Sequence, residues 1–152
     1  MNYEEKLKAF LSDWKSTAEH LHFELPCHSV AEAAVAAKAS PEDFIKSIVL
    51  ICQNKPVVAI VRGIHKADLK KVSTYLGVDA RIARPEEVLS MTNYPIGGVP
   101  PAGYEAKFLI DPEVMKHEAV IGGGGSDHAL LKITTEEIKR LTNGEVVDVK
   151  KD

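Results

Sequence analysis

Three groups of residues in this chain have the types and spacing to do chemistry. The first is the loop Ile96-Gly97-Gly98-Val99-Pro100-Pro101-Ala102-Gly103. The second is Lys46, which opens the apolar run Lys46-Ser47-Ile48-Val49-Leu50-Ile51, and the third is Gly122-Gly123-Gly124-Gly125, followed by Ser126-Asp127-His128. Prolines fix φ while glycines permit close approach to the backbone, so a loop holding both keeps its amides open and aimed. Aimed amides suit a carbonyl oxygen or a developing oxyanion. A lysine at the edge of a strand adds a cation for a phosphate or an ester. Four successive glycines are expensive to order and bring no side chain to the core, and close approach of a ligand would compensate. His128 is placed to polarise a water or orient a ligand. Each group also has a plainer reading: a lysine reaching solvent, a structural turn, a hairpin, a packed histidine.

The elements that must position these residues can be read from periodicity and caps. Leu7, Phe10, Leu11, Trp14, Ala18 and Leu21 recur at helical spacing and predict an amphipathic helix over roughly residues 3 to 20. Leu21 to Leu25 reads as extended, up to Pro26. Ser29 with Glu32 forms a capping box for a helix to about Ala39, and Ser40, Pro41 and Asp43 start another short turn. The runs Ser47 to Cys52 and Pro56 to Val61, separated by Asn54-Lys55, predict an antiparallel hairpin. Ala67 to Leu76 is a helix closed by Gly77, Ala80 to Ala83 a short strand, and Pro85 to Leu89 the start of a helix that stops before Pro95. Strands are expected at Lys107 to Ile110, Ala119 to Ile121, Ala129 to Ile133 and Val146 to Val149, with a helix after Thr134, whose capping-box partner is Glu137. Asp111 reads as a turn or helix cap before Pro112. Short strands in hairpins, interrupted by helices, predict an α+β fold with a mostly antiparallel, curved sheet.

Composition narrows the class further. The chain has 152 residues, 45% of them hydrophobic, and no linker-like stretch, which predicts one domain over 1–152. No run approaches membrane-spanning length and no signal-type segment opens the chain, so a cytoplasmic protein away from membranes is expected. Cys27 and Cys52 lack CxxC spacing and are expected to be reduced. Beyond His20-Leu21-His22, the histidines His28, His65, His117 and His128 show no ligand spacing, so neither metal nor cofactor is expected. A net charge of −3 argues against DNA binding through an overall field. Locally, Arg62, His65, Lys66, Lys70 and Lys71, with Arg81 and Arg84 close behind, form a basic cluster that reads as a solvated face or as a docking surface for an RNA backbone. The dinucleotide and P-loop signatures both fail, because neither glycine cluster is GxGxxG before a helix or ends in Gly-Lys-Ser/Thr.

Lys46-Ser47-Ile48-Val49-Leu50, Ala67-Asp68-Leu69-Lys70-Lys71-Val72, the Gly97 to Gly103 loop, Leu109-Ile110-Asp111 and the glycine run before a strand occur in the order seen in the YbaK family. From about Leu21 onward the chain resembles this family, also called the prolyl-tRNA synthetase-associated editing domain family. The resemblance implies a curved or barrel-like sheet with surrounding helices and an aminoacyl-tRNA deacylase that hydrolyses the ester of a tRNA mischarged with a small amino acid. It implies Lys46, Gly97 and Pro101 as catalytic, the last two as the ends of a GxxxP loop. The Gly122, Gly123, Gly124 and Gly125 loop matches a less uniform glycine segment of the family and would bind substrate. The reading of the residues themselves adds Gly98, Val99, Pro100 and His128 to the binding set, with a ribose hydroxyl of the substrate assisting the water and His128 as the fallback base. The partners implied are the acceptor end of an aminoacyl-tRNA and an aminoacyl-tRNA synthetase. The competing class is a binding module that recognises tRNA ends or a carbonyl ligand without turnover.

Overall fold

Helix α1, Tyr3–Asp13, is capped by Asn2, whose side chain accepts from the Glu5 N–H at 2.8 Å, and it buries Leu7 and Leu11. This is a computed structural model, and it describes residues 2–27 and 29–152. Met1 and His28, the latter weighed above as a metal ligand, lie outside the described residues. The helix ends well short of residue 20: Lys15 takes a φ of 51° and the Ser16 N–H turns back to the Leu11 carbonyl at 2.9 Å. The stretch that follows becomes strand β1, Glu19–His22, paired antiparallel with β7, Ala129–Thr134. Alternation around Leu21 and a waiting sheet edge override the helical spacing of Ala18 and Leu21.

Next come α2, Val30–Ala37, capped by Ser29, and a 3-10 turn, Pro41–Asp43, with the capping box of Ser40 and Asp43 in place. Strands β2, Ile45–Cys52, and β3, Lys55–Arg62, form the expected antiparallel hairpin. Helix α3, Leu69–Leu76, ends at Gly77 with φ 72°. After β4, Arg81–Ile82, helix α4 runs Pro85–Thr92, and β5 is Lys107–Ile110. One turn of helix, α5, Pro112–Met115, follows, and Asp111 caps it, accepting from the Glu113 N–H at 2.9 Å. Its other carboxylate oxygen accepts from the N–H groups of Val149 and Lys150, both at 3.0 Å. Strands β6, Ala119–Gly123, and β7 form a hairpin, and β7 runs into α6, Thr135–Thr142. The last strand, β8, is Glu145–Val146 and stops short of Val149, where the chain is held instead by Asp111 and by a single antiparallel bridge between Ala67 and Lys150.

The strands form two sheets. One is antiparallel with order β1-β7-β6; the other has order β4-β2-β3-β5-β8, antiparallel except for the parallel pairs β3 with β5 and β5 with β8. The α+β class and the mostly antiparallel pairing expected from the sequence are therefore present. Along β2 and β3, side chains alternate between two cores. Ile45, Val49, Val58 and Ile60 join the larger one, shared with α1, α4, β6, β7 and α6. Leu50, Cys52, Val57, Ala59 and Val61 face the smaller one under α3. Among the described residues, no helix is long and apolar enough to cross a membrane.

Candidate active site

Strand β2 is shared between the sheets, and the site lies where it changes partner. Phe44 bridges Ile121 of β6 in parallel, while Leu50 and Ile51 pair with β4. Between them, one edge of β2 has no strand against it. In an antiparallel ladder, successive residues turn their backbone polar groups to opposite sides. The Phe44 carbonyl accepts from the Gly63 N–H at 2.7 Å on the β3 side, and the Val49 carbonyl accepts from the Ala83 N–H at 3.0 Å on the β4 side. By this alternation, the N–H and C=O of Ser47 face the gap.

The gap opens into a cleft of about 360 Å³, lined by Lys46, Ser47, Gly97, Val99, Gly122 and Gly123. Its apolar walls come from Val30 and Ala33 of α2, Phe44, Val88 of α4 and Leu130 of β7, with Ile82 and Ile96 exposed at the rim. A larger groove of about 920 Å³ lies by the β2–β3 turn, but of the three residue groups chosen from the sequence only Gly103 reaches it. We place the candidate site in the smaller cleft because the Lys46 strand and both glycine loops meet there.

Lys46 donates from Nζ to the His65 carbonyl at 2.9 Å. Burial pulls its pKa down, and the neighbouring Lys66 adds to the effect. No carboxylate of the described residues lies within ion-pair distance of it.

The Gly97 to Pro101 loop is held rigid. Tyr104 donates its hydroxyl to the Pro100 carbonyl at 2.7 Å, and the Gly98 N–H goes to the Pro95 carbonyl at 3.0 Å. Pro100 and Pro101 have no N–H to offer. Of the loop's donors, the Gly97 and Val99 N–H groups alone lack an acceptor among the described residues, and both residues line the cleft.

The two glycine loops are joined directly. The Gly125 N–H donates to the Gly98 carbonyl at 2.8 Å, and a Cβ on Gly98 would lie 2.6 Å from the Ser126 nitrogen. A Cβ on Gly123 would collide with the Val99 carbonyl, and one on Gly124 would lie 2.6 Å from the Ala129 carbonyl carbon. Gly122 packs on Pro101 and Ile45. Gly98, Pro100, Pro101, Gly124 and Gly125 thus back the cleft, whereas Gly97, Val99, Gly122 and Gly123 line it.

His128 is not brought to the cleft lining; its Nδ1 is paired with Asp127 at 2.6 Å. His20, passed over in the sequence, sits closer to the glycine loop. Its Nε2 meets the Gly124 carbonyl at 2.8 Å, so that nitrogen carries the proton. Glu4 of α1 accepts from the Ser126 hydroxyl and from His22, both at 2.8 Å. Burial pushes the Glu4 carboxyl up, but these hydrogen bonds outweigh it and hold the pKa below its ordinary value. The Cys27 thiol also lines the cleft, and burial raises its pKa. Ser47 was missed as well: nothing in its sequence neighbourhood separates it from an ordinary strand serine.

Comparison with known proteins gives this geometry its context. Proline–tRNA ligase of Endomicrobium trichonymphae is 33% identical over 127 residues, covering 81% of this chain and 22% of that protein. The chain therefore spans about a fifth of the length of this ligase, and 18% of the Geotalea daltonii ligase, to which it is 31% identical over 105 residues. An uncharacterized Bacillus subtilis (strain 168) protein, YwhH, is 28% identical over 150 residues, 96% of each chain. Among solved structures, one of a protein proposed as a trans-editing enzyme for prolyl-tRNA synthetase superposes with a TM-score of 0.92 at 27% identity, covering 100% of this chain and 99% of that one. Residues 24–141 match the aminoacyl-tRNA editing domain, and the chain belongs to that family.

Proposed function

We propose that this chain, acting as one domain over residues 1–152, hydrolyses the ester of a tRNA mischarged with a small amino acid. The observation that carries the reading is that Lys46 lines one apolar cleft together with Gly97 and Val99, whose N–H groups have no acceptor among the described residues. An aminoacyl ester is already activated, so orientation and oxyanion stabilisation supply much of what its hydrolysis needs. The ester carbonyl oxygen is held by the Gly97 and Val99 N–H groups. Lys46 holds the adjoining phosphate or polarises the ester. Water attacks the carbonyl carbon, the bond from that carbon to the ribose oxygen breaks, and the ribose oxygen leaves with a proton as the free amino acid departs.

Among the described residues, no carboxylate or imidazole lines the cleft. The free ribose hydroxyl beside the ester, supplied by the substrate, is therefore assigned the proton relay: it takes the proton of the attacking water while passing its own to the departing ribose oxygen. The small volume of the cleft and its backing of glycines favour a small acyl group; selection among such groups by one methylene is worth about 1–3 kcal/mol. Relatives that are prolyl-tRNA ligases, and a structural neighbour proposed to edit for such an enzyme, support a synthetase as partner.

The test is ester loss across a panel of tRNAs charged with small amino acids. At least one ester is expected to disappear well above its spontaneous rate, with most of that rate gone in a folded Lys46→Ala variant. A substrate lacking the neighbouring ribose hydroxyl is expected to bind normally and react slowly. If every ester survives stoichiometric protein, the chain is a binding module instead.

A further inference from the structure

Ser47 Oγ is buried and has no hydrogen-bond partner among the described residues, yet the residue lines the cleft. A buried hydroxyl left unpaired costs about 1–3 kcal/mol, and native proteins seldom retain one without something that completes it. Ser47 stands on the face of β2 that also carries Ile45 and Val49, while its own backbone carbonyl turns into the unpaired edge between β4 and β6. One residue thus offers two acceptors, Oγ and the carbonyl oxygen, beside its own N–H on the same edge, in a cleft whose other walls are largely apolar. The carbonyl can only accept, so it calls for a donor on the ligand. Lys46 leaves the strand on the opposite face and is tied to the His65 carbonyl, so its cation does not occupy these acceptors.

The groups of an aminoacyl ester can be matched to these positions by hydrogen-bonding character alone. The ester carbonyl and the phosphates only accept, so they require N–H groups and cations. The α-ammonium only donates, and on a small apolar acyl group it is the sole donor. We propose that Ser47 is the α-ammonium subsite of the cleft, with Oγ and the backbone carbonyl of Ser47 accepting from the amino group of the substrate's acyl moiety. The inference rests on the deacylase reading above. It adds that the site recognises a free amino group and disfavours acyl esters that lack or block it.

The test uses two non-hydrolysable probes, an adenosine carrying an alanyl group through a 3′ amide and its propionyl counterpart without the amine, with binding measured by calorimetry. Wild-type protein is expected to prefer the alanyl probe by about tenfold or more, as a charged hydrogen bond of 1.5–3 kcal/mol would give. Ser47→Ala is expected to erase most of that preference by weakening the alanyl probe alone, and Ser47→Thr, which keeps the hydroxyl, to retain it. Equal affinity of the wild type for both probes, or a Ser47→Ala variant that weakens both alike, would overturn the assignment while leaving the deacylase reading intact. Binding of neither probe by the wild type would remove the aminoacyl reading and this subsite with it.

Discussion

Gly97 and Gly123 illustrate two different reasons for a glycine in one cleft. Gly97 has a φ of +88° and open space where a Cβ would stand, so substitution there strains the backbone alone, by about 1–2 kcal/mol. At Gly123 the added Cβ would meet the carbonyl oxygen of Val99, a backbone atom with little freedom to yield. In Gly97→Ala the melting temperature is therefore expected to fall by only a few degrees, while the single-turnover rate falls because the amides lose their aim. In Gly123→Ala the Val99 segment must move, and both stability and rate are expected to drop further. Thermal denaturation beside single-turnover kinetics separates the two, and equal melting temperatures would show that the loops adjust around Gly123. Composition pointed to the Gly122 to Gly125 run, of which Gly122 and Gly123 line the cleft. Four glycines read as a place for close approach of a ligand; Gly123 and Gly124 also approach the protein's own backbone, and only a fold can supply those neighbours. Lys46 and the Gly97 to Pro101 loop could be picked out as candidates because a lysine opening an apolar run, and adjacent prolines set among three glycines, stand out in the sequence. Ser47 was not, since an orphaned hydroxyl becomes visible only once its surroundings are known.

At the scale of elements, signals carried by single residues were legible and those set by long-range partners were not. The caps at Ser29, Ser40, Asp111 and Thr134 stand where they were read, because each satisfies local N–H groups. The end of α1 was misplaced by several residues, since β7 claims the following stretch as a strand. What fastens that junction is Glu137 of α6. It accepts from Ser16 at 2.9 Å and from Arg140 at 2.6 Å, and Arg140 also donates to the Trp14 carbonyl at 3.0 Å. Hydrogen bonding from Arg140, against the opposing effect of burial and with help from Ser16, holds the Glu137 pKa down at about 2. A carboxylate depressed in the folded state contributes stability that is present above its unfolded pKa and lost as pH falls toward the folded value. That window runs from about 4.5 down to about 2. Across it, Glu137→Gln is expected to lose less melting temperature than the wild type. Parallel curves of melting temperature against pH would show that the junction does not depend on this charge.

For the molecule as a whole, the fold decides which cations remain free to meet an anionic partner. The sequence groups Arg62, His65, Lys66, Lys70, Lys71, Arg81 and Arg84 in one basic stretch, but ion pairs divide them. Lys71 is held by Asp148 at 3.0 Å and Asp152 at 2.9 Å, Arg81 by Glu87 at 2.7 Å, and Arg84 by Glu86 at 2.9 Å. Lys66 has no carboxylate partner among the described residues and stands near enough to Lys46, at the cleft, to disfavour its charged form. Two like charges kept together beside a cleft are stabilised when an anion joins them, and a phosphate of the proposed substrate's end has the right charge. In single-stranded RNA each phosphate contact contributes about 0.7 to the slope of log affinity against log salt. With a short single-stranded RNA as probe, followed by fluorescence anisotropy, Lys66→Gln is expected to lower that slope by about one contact's share. Lys71→Gln and Arg81→Gln are expected to leave the slope nearly unchanged, because their charges are already matched within the protein. The reverse order would move the RNA track to the outer face of α3 and away from Lys46.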